Sequence, residues 1–156
     1  MMSNVTTEMQ TTNELTSVLN TQLANWSLLG VKLHNYHWFV KGPQFFTLHA
    51  KFEELYNLAA DYVDEIAERI LAIGGKPAAT MTEYLKLATI QEATGENSAE
   101  QMVEALVSDF NTIIEGLSAG IELAGEHGDD PTADLMIGIK TELEKQNWMF
   151  SAFLGK

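Results

Sequence analysis

No cysteine occurs in the 156 residues, which excludes disulfides, thiolate nucleophiles and cysteine-ligated zinc or iron–sulfur centres. Any metal must therefore be held by His, Asp and Glu. Basic residues are also scarce: 9 Lys and Arg stand against 22 Asp and Glu, a formal net charge of -13. Such a field attracts cations and repels phosphate backbones, although acidity alone is common and decides nothing without ligands. The first basic residue is Lys32, so the N-terminal arm lacks the Lys/Arg cluster that a DNA tether needs. No apolar run approaches the ~20 residues of a membrane span. The opening MMSNVTTEMQTTNE has neither the basic nor the apolar region of a secretory signal, and a cytoplasmic, non-membrane protein is expected.

What is present is helical periodicity. Leu15, Val18, Leu19, Leu23, Trp26, Leu29, Leu33 and Tyr36 fall at the three-and-four spacing of one helix face. Thr11 with Glu14 reads as a capping box opening this helix, which leaves residues 1–10 as a flexible tail before a single domain over 11–156. Gly42-Pro43 stops it. A second stripe, Phe45, Leu48, Phe52, Leu55, Ala59, Val63, Ile66 and Ile70, runs to Gly74-Gly75-Lys76-Pro77, so the two helices are expected to form an antiparallel hairpin. Thr80 with Glu83 caps a short helix to about Ala88 inside a long crossover. Ser98 with Gln101 opens a third long helix, carried by Met102, Leu106, Phe110, Ile113, Leu117 and Ile121. Asp130-Pro131 starts the last, with Leu135, Ile139, Leu143 and Phe150 on its apolar face. The expected fold is all-α, a ferritin-like four-helix bundle with one long crossover carrying a short helix.

Three of the four histidines, His34, His37 and His49, lie where the first two helices meet their connecting loop. On the second helix Asp61, Asp64, Glu65 and Glu68 occupy i, i+3, i+4 and i+7, neighbouring positions on one surface. Like charges so placed destabilise a helix unless a cation neutralises them; a solvated acidic face is the alternative. Imidazole with carboxylate suits iron, manganese or zinc. His49 and Asp64 are fifteen positions apart on one helix. At 1.5 Å per residue that is about 22 Å, too far for one ion, yet their azimuths differ by only about 60°. Two such helices antiparallel about a two-fold axis would set the His end of each against the acidic end of the other. The Glu-x-x-His motif of an intrasubunit di-iron bundle is absent.

The stretches KLHNYHWFVKGPQFFTLHAKFEELY and DEIAERILAIGGKP, with the ending NWMFSAFLGK, resemble the signature of the Dps proteins, or mini-ferritins, over roughly Glu14 to Lys156. The resemblance implies a homododecameric shell that binds Fe²⁺, oxidises it to Fe³⁺, preferentially with hydrogen peroxide, and stores ferric mineral, protecting against oxidative stress. It implies a ferroxidase site of His37 and His49 with Asp64 and Glu68 of the partner subunit, Glu53 supporting a second iron, and zinc able to substitute. Asp61, Glu65 and His34 fall outside the family's usual ligands; His34 is expected to be a buried hydrogen-bonding group.

GEHGDDPTAD resembles the family's three-fold pore region, implying that Asp130 and Asp134, with Asp129, line the path by which iron enters. Asp130 is equally a good helix N-cap. His127 reads as an exposed loop residue. Trp38, next to His37, is a candidate radical scavenger, although aromatics at helical spacing are more often core, as is expected of Trp148. The family's lysine-rich N-terminal tail is missing, so DNA binding is not expected. A DNA-condensing or non-enzymatic protective shell is the alternative function.

Overall fold

The computed structural model describes residues 2–156, with side chains from Asn4 onward. Its elements are α1 (Met2–Phe39), α2 (Phe45–Ala72), α3 (Met81–Leu87), α4 (Ala99–Glu126) and α5 (Asp130–Phe153). No strand occurs among the described residues. Four long helices enclose one apolar core, and the expected stripes supply most of it: Leu19, Leu29, Phe52, Ile66, Leu106, Ile113 and Leu143 are all inaccessible to water.

Pairing is read from side chains that face each other. Gly30 faces Ala59, Gly75 abuts Thr16, and His37 meets His49, so α2 descends beside α1. Gly116 faces Gln22 while Asp109 meets Lys32, so α4 also runs antiparallel to α1. Thr132 bonds Arg69 and Phe150 lies against Phe52, so α5 runs antiparallel to α2. Helices α2 and α4 are then parallel, and their connection must return the length of the bundle. That return lies along α1. Asn20 binds Lys76 and Ala78, Asn25 binds Thr89 through both side-chain atoms, and Lys32 donates to the Gln91 carbonyl at 2.9 Å. α3 packs on the same helix.

Caps follow the sequence in three places and depart from it in two. Thr80 and Ser98 accept from Glu83 N and Gln101 N as expected, and the chain leaves α2 through Gly74 at φ +85, a conformation that costs glycine little. The start expected at Thr11 is corrected: α1 begins at Met2, because no Gly or Pro precedes Gly30 to break it. Thr11 and Glu14 instead bind His127, at 3.2 and 2.8 Å, tying the end of α4 to α1. His127 is thus a half-buried bridge and not a free loop residue. The N-cap of α5 is Asp129, one residue before the expected Asp130, because Asp129 Oδ1 accepts from Thr132 N at 3.0 Å.

One charged pair is buried between α1 and α4. Lys32 Nζ lies 2.7 Å from Asp109 Oδ2, with both side chains almost wholly covered. Burial pushes the Asp109 carboxyl above its ordinary range, against the pull of the Lys32 ammonium. Removing one partner strands the other charge away from water. Asp109→Ala is therefore expected to lower unfolding free energy by about 3–5 kcal/mol, seen as a large drop in thermal midpoint; a midpoint within a degree of wild type would refute this account.

Candidate metal centre

The turn through Gly42, at φ +103, brings the end of α1 against the start of α2. There His37 Nδ1 lies 2.7 Å from the His49 carbonyl oxygen and His49 Nδ1 lies 2.8 Å from the His37 carbonyl oxygen. A carbonyl only accepts, so each imidazole donates its Nδ1–H, which in the neutral ring leaves Nε2 as the lone pair. The rings stack at 3.7 Å between centroids, and Phe45 covers the far face of His49 at 4.9 Å. This reciprocal arrangement sets tautomer and ring direction together, the usual way a protein orients a metal-binding histidine.

Around the pair sits a run of aromatic rings. Tyr56 and His37 meet edge-to-face, with centroids 5.3 Å apart at 88°, and Tyr56 stacks on His34 at 3.8 Å. His34 Nδ1 donates to the Gly30 carbonyl at 2.7 Å and its ring lies 5.3 Å from that of Trp38. Trp38 and Trp148 are 66% and 69% exposed on the subunit, so neither is core. Glu53, one turn after His49, is exposed, and its Oε1 accepts from the Tyr56 hydroxyl at 3.4 Å.

The acids stand apart. Asp61, Asp64, Glu65 and Glu68 are all exposed on the distal part of α2. Their field is felt by Tyr62: burial first, then the charges of Glu142, Glu65 and Asp61, push its phenol up to about 12. Among the described residues, no three His, Asp or Glu side chains within one subunit gather into a group able to hold a metal. The subunit thus carries a preoriented imidazole pair at one end of α2 and a carboxylate face at the other.

At the start of α5 the acids divide. Asp129 Oδ1 accepts from Arg69 Nη2 at 2.9 Å, and its Oδ2 accepts from the Thr132 hydroxyl at 2.6 Å; Arg69 Nε also donates to Thr132 at 2.8 Å. Asp130 and Asp134 are exposed. The Arg69 network and the two carbonyl locks escape the sequence reading because their members lie on different helices, and Tyr56 escapes it because its place on a helix face does not reveal the His34 and His37 rings of α1 against which it packs.

A chain of four long helices with one crossover defines a ferritin-like protein, and the family description "Ferritin-like domain" matches residues 16–156. The chain belongs, within that fold, to the Dps family. DNA protection during starvation protein 2 of Bacillus anthracis is 57% identical over 143 residues, which cover 92% of this chain and 98% of that one. Dps from Staphylococcus aureus superposes with a TM-score of 0.90 at 54% identity, over 91% of this chain and 95% of that one. Dps from Vibrio cholerae, described as a member of a broad superfamily of ferritin-like diiron-carboxylate proteins, gives 0.90 at 38% identity, over 93% and 91%.

Burial opposes ionisation at Asp129, but its two Thr132 hydrogen bonds and the Arg69 guanidinium outweigh that and hold the carboxyl below its usual range. A depressed carboxyl contributes stability above its unfolded pKa and loses it as pH falls through the lower folded value. Asp129→Ala is accordingly expected to cost about 1–2 kcal/mol at pH 7 through the lost cap. Denaturant unfolding should show the gap between the two proteins shrinking in acid below the ordinary carboxylate range, and a gap constant with pH would contradict it.

Proposed function

We propose that this protein is a ferroxidase and iron store whose catalytic site is completed by a second copy of the chain. The observation that carries the reading is the locked His37–His49 pair, with two Nε2 lone pairs fixed at one end of α2 and the carboxylates of the same helix exposed at the other. In an antiparallel two-fold pair, His37 and His49 meet the partner subunit's Asp64 and Glu68, and the site forms twice per dimer. Six such dimers, joined through further contacts into a closed homododecamer, give a shell.

Iron is the substrate. Neutral imidazoles limit the charge of the site, while Asp64 and Glu68 supply hard anionic oxygens that favour the ferric product. Two Fe²⁺ each yield one electron to a hydrogen peroxide molecule, whose O–O bond breaks; two protons from solvent complete two waters, and no hydroxyl radical leaves. Glu53 supports the second ion. Fe³⁺ then hydrolyses and collects on acidic inner-wall residues, which removes both reagents of radical damage from the cytoplasm. Asp130 and Asp134 form the acidic entrance for Fe²⁺, while Asp129, paired with Arg69, anchors the start of their helix. Zinc suits the same donors and competes for the site. Trp38, exposed beside His34, is available to absorb a stray oxidising equivalent.

A DNA-condensing shell is the second reading, and the charge distribution opposes it. Residues 1–31 contain no Lys or Arg, and Asn4–Gln10 form an exposed helical start bearing Glu8. No helix among the described residues is long and apolar enough to cross a membrane.

Stopped-flow oxidation of Fe²⁺ with and without peroxide tests the main reading. His37→Gly/His49→Gly should lose at least about tenfold in the peroxide-dependent rate, and equal rates in the two proteins would sink the assignment, as would a monomeric mass for the native protein. For the second reading, a gel shift of supercoiled DNA at neutral pH and low magnesium should leave the plasmid unretarded.

A further inference from the structure

We propose that Tyr56 is a positioning residue of the ferroxidase site, holding Glu53 in register with the histidine pair so that a second iron is bound. The inference rests on the ferroxidase reading above. Three contacts converge on this one side chain. Its ring meets the His37 ring edge-to-face at 5.3 Å and 88° and stacks on His34 at 3.8 Å and 13°, and its hydroxyl donates to Glu53 Oε1 at 3.4 Å. His34 is itself fixed, since its Nδ1–H is committed to the Gly30 carbonyl at 2.7 Å. The phenol is thus held on two sides by rings whose own directions are set by backbone oxygens, which makes the hydroxyl a defined point and not a mobile one.

The helix register places Glu53 to profit. His49, Glu53 and Tyr56 stand at i, i+4 and i+7 of α2, one above another on a single face. An exposed glutamate has three free side-chain torsions, and ordering it on an ion costs conformational entropy. A donor on Oε1 restricts that freedom and leaves Oε2 to bind an ion. In the subunit Glu53 does not close with His37 and His49 into a metal-holding group. The hydroxyl contact therefore marks a waiting position close to the pair, from which the carboxylate joins an arriving cation.

Tyr56→Phe preserves both ring contacts and deletes only the donor. In the assembled protein this variant should keep its mass and thermal midpoint while the half-saturating Fe²⁺ concentration for peroxide-dependent oxidation rises about 3- to 10-fold, the size of one hydrogen bond. The change should fall on half-saturation and not on turnover at saturating iron. Anaerobic titration with Fe²⁺ alone reads the same loss as weaker binding, independent of any oxidation. A double-mutant cycle identifies the route: in a Glu53→Gln background, Tyr56→Phe should have no further effect. Unchanged half-saturation and Fe²⁺ affinity in Tyr56→Phe would overturn the proposal, as would full additivity with Glu53→Gln. Wild-type protein that binds Fe²⁺ but oxidises none would instead overturn the ferroxidase reading, with the anaerobic titration still deciding the role of Tyr56.

Discussion

An α-helix rises about 1.5 Å per residue and is stiff over the length of α2, so groups at its two ends cannot share a ligand. This rigidity is the constraint on which the architecture turns. His49 sits in the first two turns of α2, and Asp64 and Glu68 sit in its last three. Bending the helix would bring them together, yet its hydrogen-bond ladder is unbroken from Phe45 to Ala72 and no Gly or Pro lies inside it. The chemistry of the proposed site is consequently tied to association: the inexpensive way to place these imidazoles beside those carboxylates is to supply a second helix running the other way.

Much of this was legible in residue spacing. The long helices follow from the apolar stripes, whose members such as Leu19, Phe52 and Leu106 are the most deeply buried residues, and the order of Gly, Pro and capping residues placed most helix ends within a residue or two. The separation of His49 from Asp64 needed only helix geometry. Contacts between elements were not legible, because periodicity describes one helix at a time. Thr11 and Glu14 have the spacing of a capping box, but nothing in those residues reveals that His127, on another helix, claims both side chains. Likewise Asp130, followed by Pro131, is the cap expected from the sequence, yet Asp129 takes that place. The choice falls to Asp129 because Arg69, on α2, lies where it can bind that carboxylate and not the next. His37 and His49 were recognised as ligand types, whereas the mutual carbonyl bonds that orient them depend on the exact crossing of α1 and α2.

The same hairpin links packing to chemistry. Gly30 of α1 lies against Ala59 of α2, and Gly42 turns the chain at a positive φ, so the last turn of one helix lies beside the first turn of the next. Ends of helices have carbonyl oxygens without intrahelical partners. The His37 carbonyl belongs to that set, and the His49 imidazole satisfies it. A group that would otherwise be an orphan at a helix terminus thus becomes the device that directs a metal-binding nitrogen. Stability of the hairpin and readiness of the site are one structural fact.

Placement of the crossover completes the logic. Residues 73–98 have to travel the length of the bundle, and they could cover any helix face they met. Asn20, Asn25 and Lys32, all on α1, take hold of its backbone at Lys76, Ala78, Thr89 and Gln91, and α3 packs on α1 as well. Lys32 is held in turn by Asp109, so the buried ion pair anchors this polar seam to α4. Because the crossover is committed to α1, the carboxylate face of α2 is left uncovered, with Asp61, Asp64, Glu65 and Glu68 all in solvent. Had the connection lain across α2, those carboxylates would have lost water without gaining a cation, a penalty that neither hydrogen bonds from a loop nor helix packing readily offsets. Polar side chains on the first helix therefore decide, at a distance, which surface of the second remains open to solvent.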